Sequence, residues 1–156
     1  ERIGGAHNYA GFWVRAAAFS IDGLVVGLFL IPVIIIVLAF SIASGLEGEE
    51  LKNTIDLYYN GASYTISTIY YVYHHSSAKQ ATIGKKIVGI YVVNASGERL
   101  SIAHSIGRTF ATLLSFITMY IGFMMAGWTK KKQALHDIVA GTYVVYGKPE
   151  DGVIKP

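Results

Sequence analysis

The chain has 156 residues, of which 53% are hydrophobic and only 15% charged, with a formal net charge of +3 and no cysteine. Its mean hydropathy of +0.44 is too apolar for an ordinary soluble domain and points to one small integral membrane domain. The absence of cysteine excludes a disulfide framework and a thiolate metal site, and so modest a charge raises no expectation of a nucleic-acid partner.

The first apolar stretch, residues 17–40, is long enough to cross a hydrocarbon core roughly 30 Å thick at 1.5 Å per residue. Tyr9, Phe12 and Trp13 stand ahead of it, where amphipathic rings favour the headgroup boundary and Arg15 can extend its guanidinium to the same level. The apolar run is too long for a signal core and lacks a small-residue cleavage site, so the first helix is expected to stay in the mature protein. Pro32 removes one helix hydrogen bond and is expected to kink the distal half. Asp22 lies inside the stretch. An ionised carboxylate at the centre of a spanning helix costs about 2.5 to 3.5 kcal/mol, so such a residue is expected to face a protein interior or an aqueous path.

The next linker carries Glu47, Glu49, Glu50 and Asp56 against Lys52 alone and reads as an external loop. A second span is expected over residues 54–73. Asn60, Ser63, Thr65, Ser67 and Thr68 among its tyrosines imply packing against protein rather than lipid, and IYYVYHH at its end resembles an aromatic belt. Lys79, Lys85, Lys86, Arg99 and Arg108 follow against Glu98 alone, which places this loop in the cytoplasm. Within it, KKIVGIYVVNASGERLS alternates apolar and polar residues around a turn at residues 94–97, the pattern of a short strand or hairpin. A second strand-like run, GTYVVY, ends near Tyr146, and the two are expected to pair at the cytoplasmic surface.

That pairing constrains the third apolar stretch, residues 106–128. A straight helix there would carry Lys130, Lys131 and Lys132 outside, against the positive-inside rule, whereas a re-entrant helical hairpin keeps them inside with its bend tucked against protein. The re-entrant form is the expected one. The expected fold is therefore an all-α membrane protein with two transmembrane helices, a re-entrant or third membrane helix and a short cytoplasmic β-hairpin or strand pair. Residues 9–146 form its single domain and residues 147–156 a polar tail, and the N- and C-terminal ends face the cytoplasm.

The ionisable residues of the apolar segments are the candidate functional groups. Arg15 and Asp22 are seven residues apart, so they share a helix face but lie about 10 Å apart along the axis, too far for an easy pair. Asp137, in LHDIVAGTYVV, approaches from the cytoplasmic side and is the better partner for Arg15. That pair reads as a structural clamp between the first helix and the C-terminal segment. Asp22 has a sharper alternative as an ion or proton site. A carboxylate shielded from water holds its proton more readily, and a monovalent cation can then compete for the same site. Hydroxyls of Ser20, Ser63, Thr65 or Ser67 are candidates for the surrounding oxygens. His74, His75, His104 and His136 show no metal-ligand spacing, and TIGKK lacks the glycine spacing of a phosphate loop. Gly23 and Gly27 form GxxxG, a candidate helix-contact face, and the lysines at 130–132 are expected to meet anionic lipid headgroups. No nucleophile and base pair points to an enzyme, and neither a cofactor nor a metal is expected.

The order FWVRAAAFSID, TIGKKIVGIYVVNASGERLS, a basic cluster and LHDIVAGTYVV resembles the RDD family of small membrane domains, named for one arginine and two aspartates. The matching positions are Arg15, Asp22 and Asp137, with Gly84, Lys85, Gly89, Gly97, Arg108, Gly141 and Thr142 flanking them, while a proline common before the final basic cluster is missing. The resemblance implies one of two roles. Some members are proposed as sodium/proton antiporters, which implies membrane lipid, sodium ion and proton as partners and a homo-oligomer, since so few helices hardly enclose a path. Others serve as accessory parts of larger membrane complexes.

Overall fold

The computed structural model describes residues 9–118 and 121–149, less the side chains of Leu113 and Phe116. Its elements in chain order are α1 (Phe12–Ala43), α2 (Gly48–Ser76), α3 (Ile83–Ile87), β1 (Ile90–Asn94), α4 (Ile102–Ile117), α5 (Ile121–Met124), a 3-10 turn (Met125–Gly127), α6 (Leu135–Val139) and β2 (Thr142–Tyr146).

α1 is continuous over 32 residues, and Pro32 lies inside it without ending it. Four of its five buried residues, Ala18, Asp22, Val26 and Leu30, recur every fourth position, with Ser41 the fifth, and the four form the single stripe that one neighbouring helix covers. Val26 and Leu30 pack there with Tyr70, Ala62 and Ile66 of α2. Most of the remaining surface is bare, including Leu24, Leu28, Phe29, Ile35, Ile36 and Phe40. Among the described residues, α1 is the one helix both long and apolar enough to cross a membrane. α2 has the length of a span with 29 residues, but its asparagines, acids and serines dilute its apolarity. The two expected spans are thus one helix that qualifies on both counts and one that qualifies on length, and α2 begins at Gly48, earlier than the sequence pattern placed it.

At the N-terminal end of α1 and the C-terminal end of α2 sits a small β-capped head. β1 and β2 pair antiparallel, with Ile90 opposite Tyr146 and Asn94 opposite Thr142. The expected strand pair is present, whereas the hairpin alternative is not: the turn after β1 forms, with Asn94 Oδ1 accepting from the Ser96 and Glu98 amides, but no second strand follows it directly. Tyr9 extends β2 by an isolated bridge to Val145. One sheet face packs Ile90, Val92 and Val144 against Ala10, Ala18 and Leu100, and the other gathers Tyr91, Val93 and Val145 with Tyr9 and Ala81. The first three turns of α1 are therefore part of the head's core.

The third apolar stretch is not one straight helix. α4 starts at Ile102, before the expected residue 106, and ends at Ile117. α5 and the 3-10 turn then bring the chain back to the first turn of α1, where Gly127 lies against Phe12. α6 returns along α4, with His136 Nδ1 3.1 Å from Ser115 Oγ and the Ala140 carbonyl 2.5 Å from His104 Nε2. Of the expected tail, residues 150–156 lie outside the described residues.

Candidate functional site

Two separate carboxylate clusters occupy the head. The first centres on Asp22, which is 1% exposed. Its Oδ1 accepts from the Tyr70 hydroxyl at 2.7 Å and from the Gly84 backbone amide at 2.7 Å, and its Oδ2 accepts from the Thr82 hydroxyl at 2.6 Å. These donors come from α2, the α2–α3 connection and α3, so one side chain of α1 joins three segments. Each donor is itself held in place. The Tyr70 oxygen accepts from the Ile83 amide at 3.1 Å, and Thr82 caps α3, its Oγ1 accepting from the Lys85 amide at 3.3 Å. A short polar residue ahead of a helix supplies the acceptor that the first free amides lack.

Glycine at position 84 is what allows this approach. A Cβ there would stand 2.1 Å from the Ala18 carbonyl oxygen and 2.9 Å from Asp22 Cγ, so any side chain would push α3 off α1. Ser20, Ser63, Thr65 and Ser67, the sequence-level candidates for oxygens around Asp22, do not bond to it. Ser20 and Thr65 turn back to the carbonyls of Ala16 and Gly61 in their own helices. Tyr70 and Thr82 take that place. The signal available in the sequence was Thr82 itself, a capping residue just ahead of a helix; nothing local marked Tyr70, which lies 48 residues from Asp22.

The second cluster centres on Asp137, which is completely buried. Arg15 Nη1 bonds to Asp137 Oδ2, so the expected clamp between the first helix and the C-terminal segment forms. Arg15 also donates from Nε to the Ala10 carbonyl at 2.8 Å and from Nη2 to the Lys132 carbonyl at 2.6 Å. Sequence reasoning missed the second cation. Arg108 of α4 places Nη1 2.5 Å from Asp137 Oδ1 and bonds to the Thr142 hydroxyl. The Ala134 amide at the start of α6 donates to Asp137 Oδ2 at 3.0 Å. Burial on its own would raise the Asp137 carboxyl, but Arg108 and Arg15 overcome it and hold the group well below the usual carboxylate range. His136 beside it is pulled down to about 3, chiefly by burial, and is neutral at pH 7.

A third pair bridges the two clusters. Lys85 of α3 sets Nζ 2.6 Å from His75 Nε2 at the end of α2. Burial first and Arg108 second lower the Lys85 ammonium to about 7. Glycines at two further positions have positive φ, Gly89 at 73° and Gly141 at 58°, where α3 and α6 must turn sharply into β1 and β2.

Arg15, Asp22 and Asp137 therefore do not meet in one site: Arg15 and Asp137 do, and Asp22 stands apart. Gly23 and Gly27 have no neighbour within 4 Å of an added Cβ, so GxxxG makes no contact among the described residues. The histidines, acids and absent cysteines form no group of three suited to a metal among the described residues.

No solved structure matches the chain. It is similar to the uncharacterized protein YxaI of Bacillus subtilis (strain 168), with 40% identity over 147 residues covering 88% of this chain and 97% of that protein. It is also similar to the uncharacterized membrane protein YteJ of the same organism, with 29% identity over 152 residues covering 91% of this chain and 84% of that protein. The sequence pattern of the RDD family matches residues 9–141. That span contains Arg15, Asp22 and Asp137, and the chain belongs to the RDD family of membrane proteins.

Proposed function

We propose that the protein exchanges a monovalent cation for a proton across a membrane, with Asp22 as the carboxylate that holds one or the other. The observation that carries this reading is the contrast between the two buried acids. Asp137 is countered by two guanidiniums, so its charge is already balanced. Asp22 is equally buried, yet its three direct partners are two hydroxyls and a backbone amide, all neutral. The cation in electrostatic reach is Lys85, which makes no bond to it, so a mobile cation can balance the charge at the carboxylate itself. The Tyr70 and Thr82 hydroxyls suit that exchange because each can rotate its proton away and offer an oxygen to the ion beside the two carboxylate oxygens. Loading a proton on Asp22 instead turns one of its acceptors into a donor, and the hydroxyl facing it reverses.

The placement in the bilayer follows from the head. With the first turns of α1 committed to the head, residues 24–43 remain, and twenty residues at 1.5 Å span roughly 30 Å. Asp22 then sits at the inner edge of the hydrocarbon core rather than at its centre. The excess of basic residues around the sheet supports a cytoplasmic side for that edge, with Tyr9 and Tyr146 on the same side and the acidic α1–α2 connection outside. α4 and α5, which return to the base of α1, form the re-entrant element in this arrangement.

A second reading, a non-transporting subunit of a larger membrane complex, draws on the same geometry, because both Asp22 oxygens are already satisfied within the fold. One experiment separates the two. Purified protein is reconstituted into liposomes with a trapped pH dye, and an inward sodium gradient is imposed. The expected result is alkalinisation of the lumen by wild type and none by Asp22→Asn. Silence in both would overturn the exchange reading and leave the docking one.

A further inference from the structure

α2 has the length of a span, 29 residues, yet carries a run of polar residues along one side. Asn53, Asp56, Asn60, Ser63 and Ser67 follow one another at alternating steps of three and four, and at 3.6 residues per turn they fall within an arc of roughly 100°. Asn53, Asp56 and Asn60 are exposed, and Ser63 and Ser67 are half-buried. Among the described residues, no hydrogen bond or ion pair joins any of the five to another element. The other exposed side of α2 is different, carrying Tyr58 and Ile69. Lipid suits that side and not the polar one, since a polar side chain facing hydrocarbon has no partner and a carboxylate there is costly.

We propose that this seam is the docking surface for a second copy of the chain, with the two α2 helices side by side and pointing the same way. The alternation of three and four is the spacing at which two helices pack at a small left-handed crossing angle, each seam residue fitting between residues of its neighbour. A two-fold axis along the membrane normal sets the same surface against itself. Asn60 then meets Asn60 of the second copy, an amide pair in which each side chain both donates and accepts. Ser63 and Ser67, four residues apart and small, allow the backbones to come close. Lys52 lies one turn from Asp56 and is exposed beside it. Two copies set each lysine one turn from the carboxylate of the other copy, so the charges balance across the pair. The next step of the repeat is Tyr70, whose hydroxyl bonds Asp22, so the paired seams end at that carboxylate. The pairing follows from the exclusion of these side chains from lipid and holds whether or not ions are exchanged.

The chain contains no cysteine, so single-cysteine variants report directly. Asn60→Cys and Ser63→Cys test the seam, and Tyr58→Cys and Ile69→Cys test the opposite side, each expressed in membranes and treated with copper phenanthroline. A band of twice the chain's mass is expected for the seam variants at roughly tenfold the yield of the controls. Adding Asp56→Lys to Ser63→Cys should reduce that band severalfold, and adding Lys52→Asp as well should restore it. If the seam variants remain monomeric, if both sides cross-link equally, or if the product has the mass of a foreign partner, the proposal is overturned. The readout is independent of ion flux, so silent liposomes with a seam-specific dimer would sink the exchange reading and leave this one standing.

Discussion

Gly84→Ala is the sharpest test of how the head is built, because a single methyl group probes the contact on which the Asp22 cluster depends. The added Cβ would stand 2.1 Å from the Ala18 carbonyl oxygen, whereas the closest ordinary carbon–oxygen contact is about 3.3 Å, so α3 must withdraw from α1 by roughly 1 Å. That withdrawal stretches the 2.7 Å bond from the Gly84 amide and the 2.6 Å bond from Thr82, both ending on a buried carboxylate. Overpacking costs about 1–3 kcal/mol and each weakened bond to a charged group up to about 1.5–3 kcal/mol. Because the strain is relieved by the same movement that weakens the bonds, the two contributions overlap, and about 3–4 kcal/mol in total is expected. The assay is thermal unfolding in detergent beside Gly23→Ala, where an added Cβ meets nothing within 4 Å and the gain in helix propensity is roughly 0.5–1 kcal/mol. Gly84→Ala should melt well below wild type and Gly23→Ala at or slightly above it. Equal melting of Gly84→Ala and wild type would refute the close approach of α3 to α1 and with it the account of Asp22.

Three other outcomes follow from the second cluster and the pair beside it. Asp137→Asn leaves Arg15 and Arg108 buried with no carboxylate between them, a loss of about 3–5 kcal/mol, measured by the same melt; a loss smaller than that of Asp22→Asn, whose partners are neutral, would contradict the assignment of charge balance to Asp137. The folded Asp137 carboxyl lies below its ordinary value of 3.8, so its contribution is complete above that pH and declines as the pH falls below it; wild type should lose stability on the acid side of pH 4 more steeply than Asp137→Asn. Lys85 runs the other way. Its folded ammonium is lowered to about 7 from 10.5, so the unfolded chain binds the extra proton between those values, stability rises with pH across that window, and Lys85→Met should flatten the rise in melting temperature measured from pH 7 to 10.

Much of this architecture was legible from the sequence because it rests on local signals. α1 is a long apolar run, and β1 and β2 are short alternating runs bounded by glycine. The Arg15–Asp137 clamp was also legible, since two opposite charges in apolar surroundings must find partners. What the sequence hid depends on contacts between distant elements. Tyr70 is one of several tyrosines at the end of α2, and only the crossing of α1 and α2 selects it. Arg108 read as one more basic residue of the cytoplasmic loop, yet its place on α4 turns it inward onto Asp137 and Thr142. The start of α4 at Ile102 rather than residue 106 follows from Ser101, whose Oγ accepts from the His104 amide at 3.1 Å, a cap that an apolar window does not register.

The short helix α3 links what the sequence presents as separate residues. It has only five residues, too few to persist unaided, and it is held at both faces by charge. Gly84 binds Asp22 on one side, and Lys85 meets His75 on the other, within electrostatic reach of Arg108, Asp22 and Asp137. Any change at Asp22, whether a proton gained or a cation admitted, alters the acceptor that receives the Gly84 amide and the Thr82 cap. The nearest element able to respond is α3, since α1 and α2 are long helices joined by an apolar stripe and β1 is locked to β2. Movement of α3 carries Lys85 relative to His75 and to the Arg15–Asp137–Arg108 cluster. The two aspartates thus bear differently on one small element: Asp22 sets the distance of α3 from α1, and Asp137 reaches α3 through the charge of Lys85.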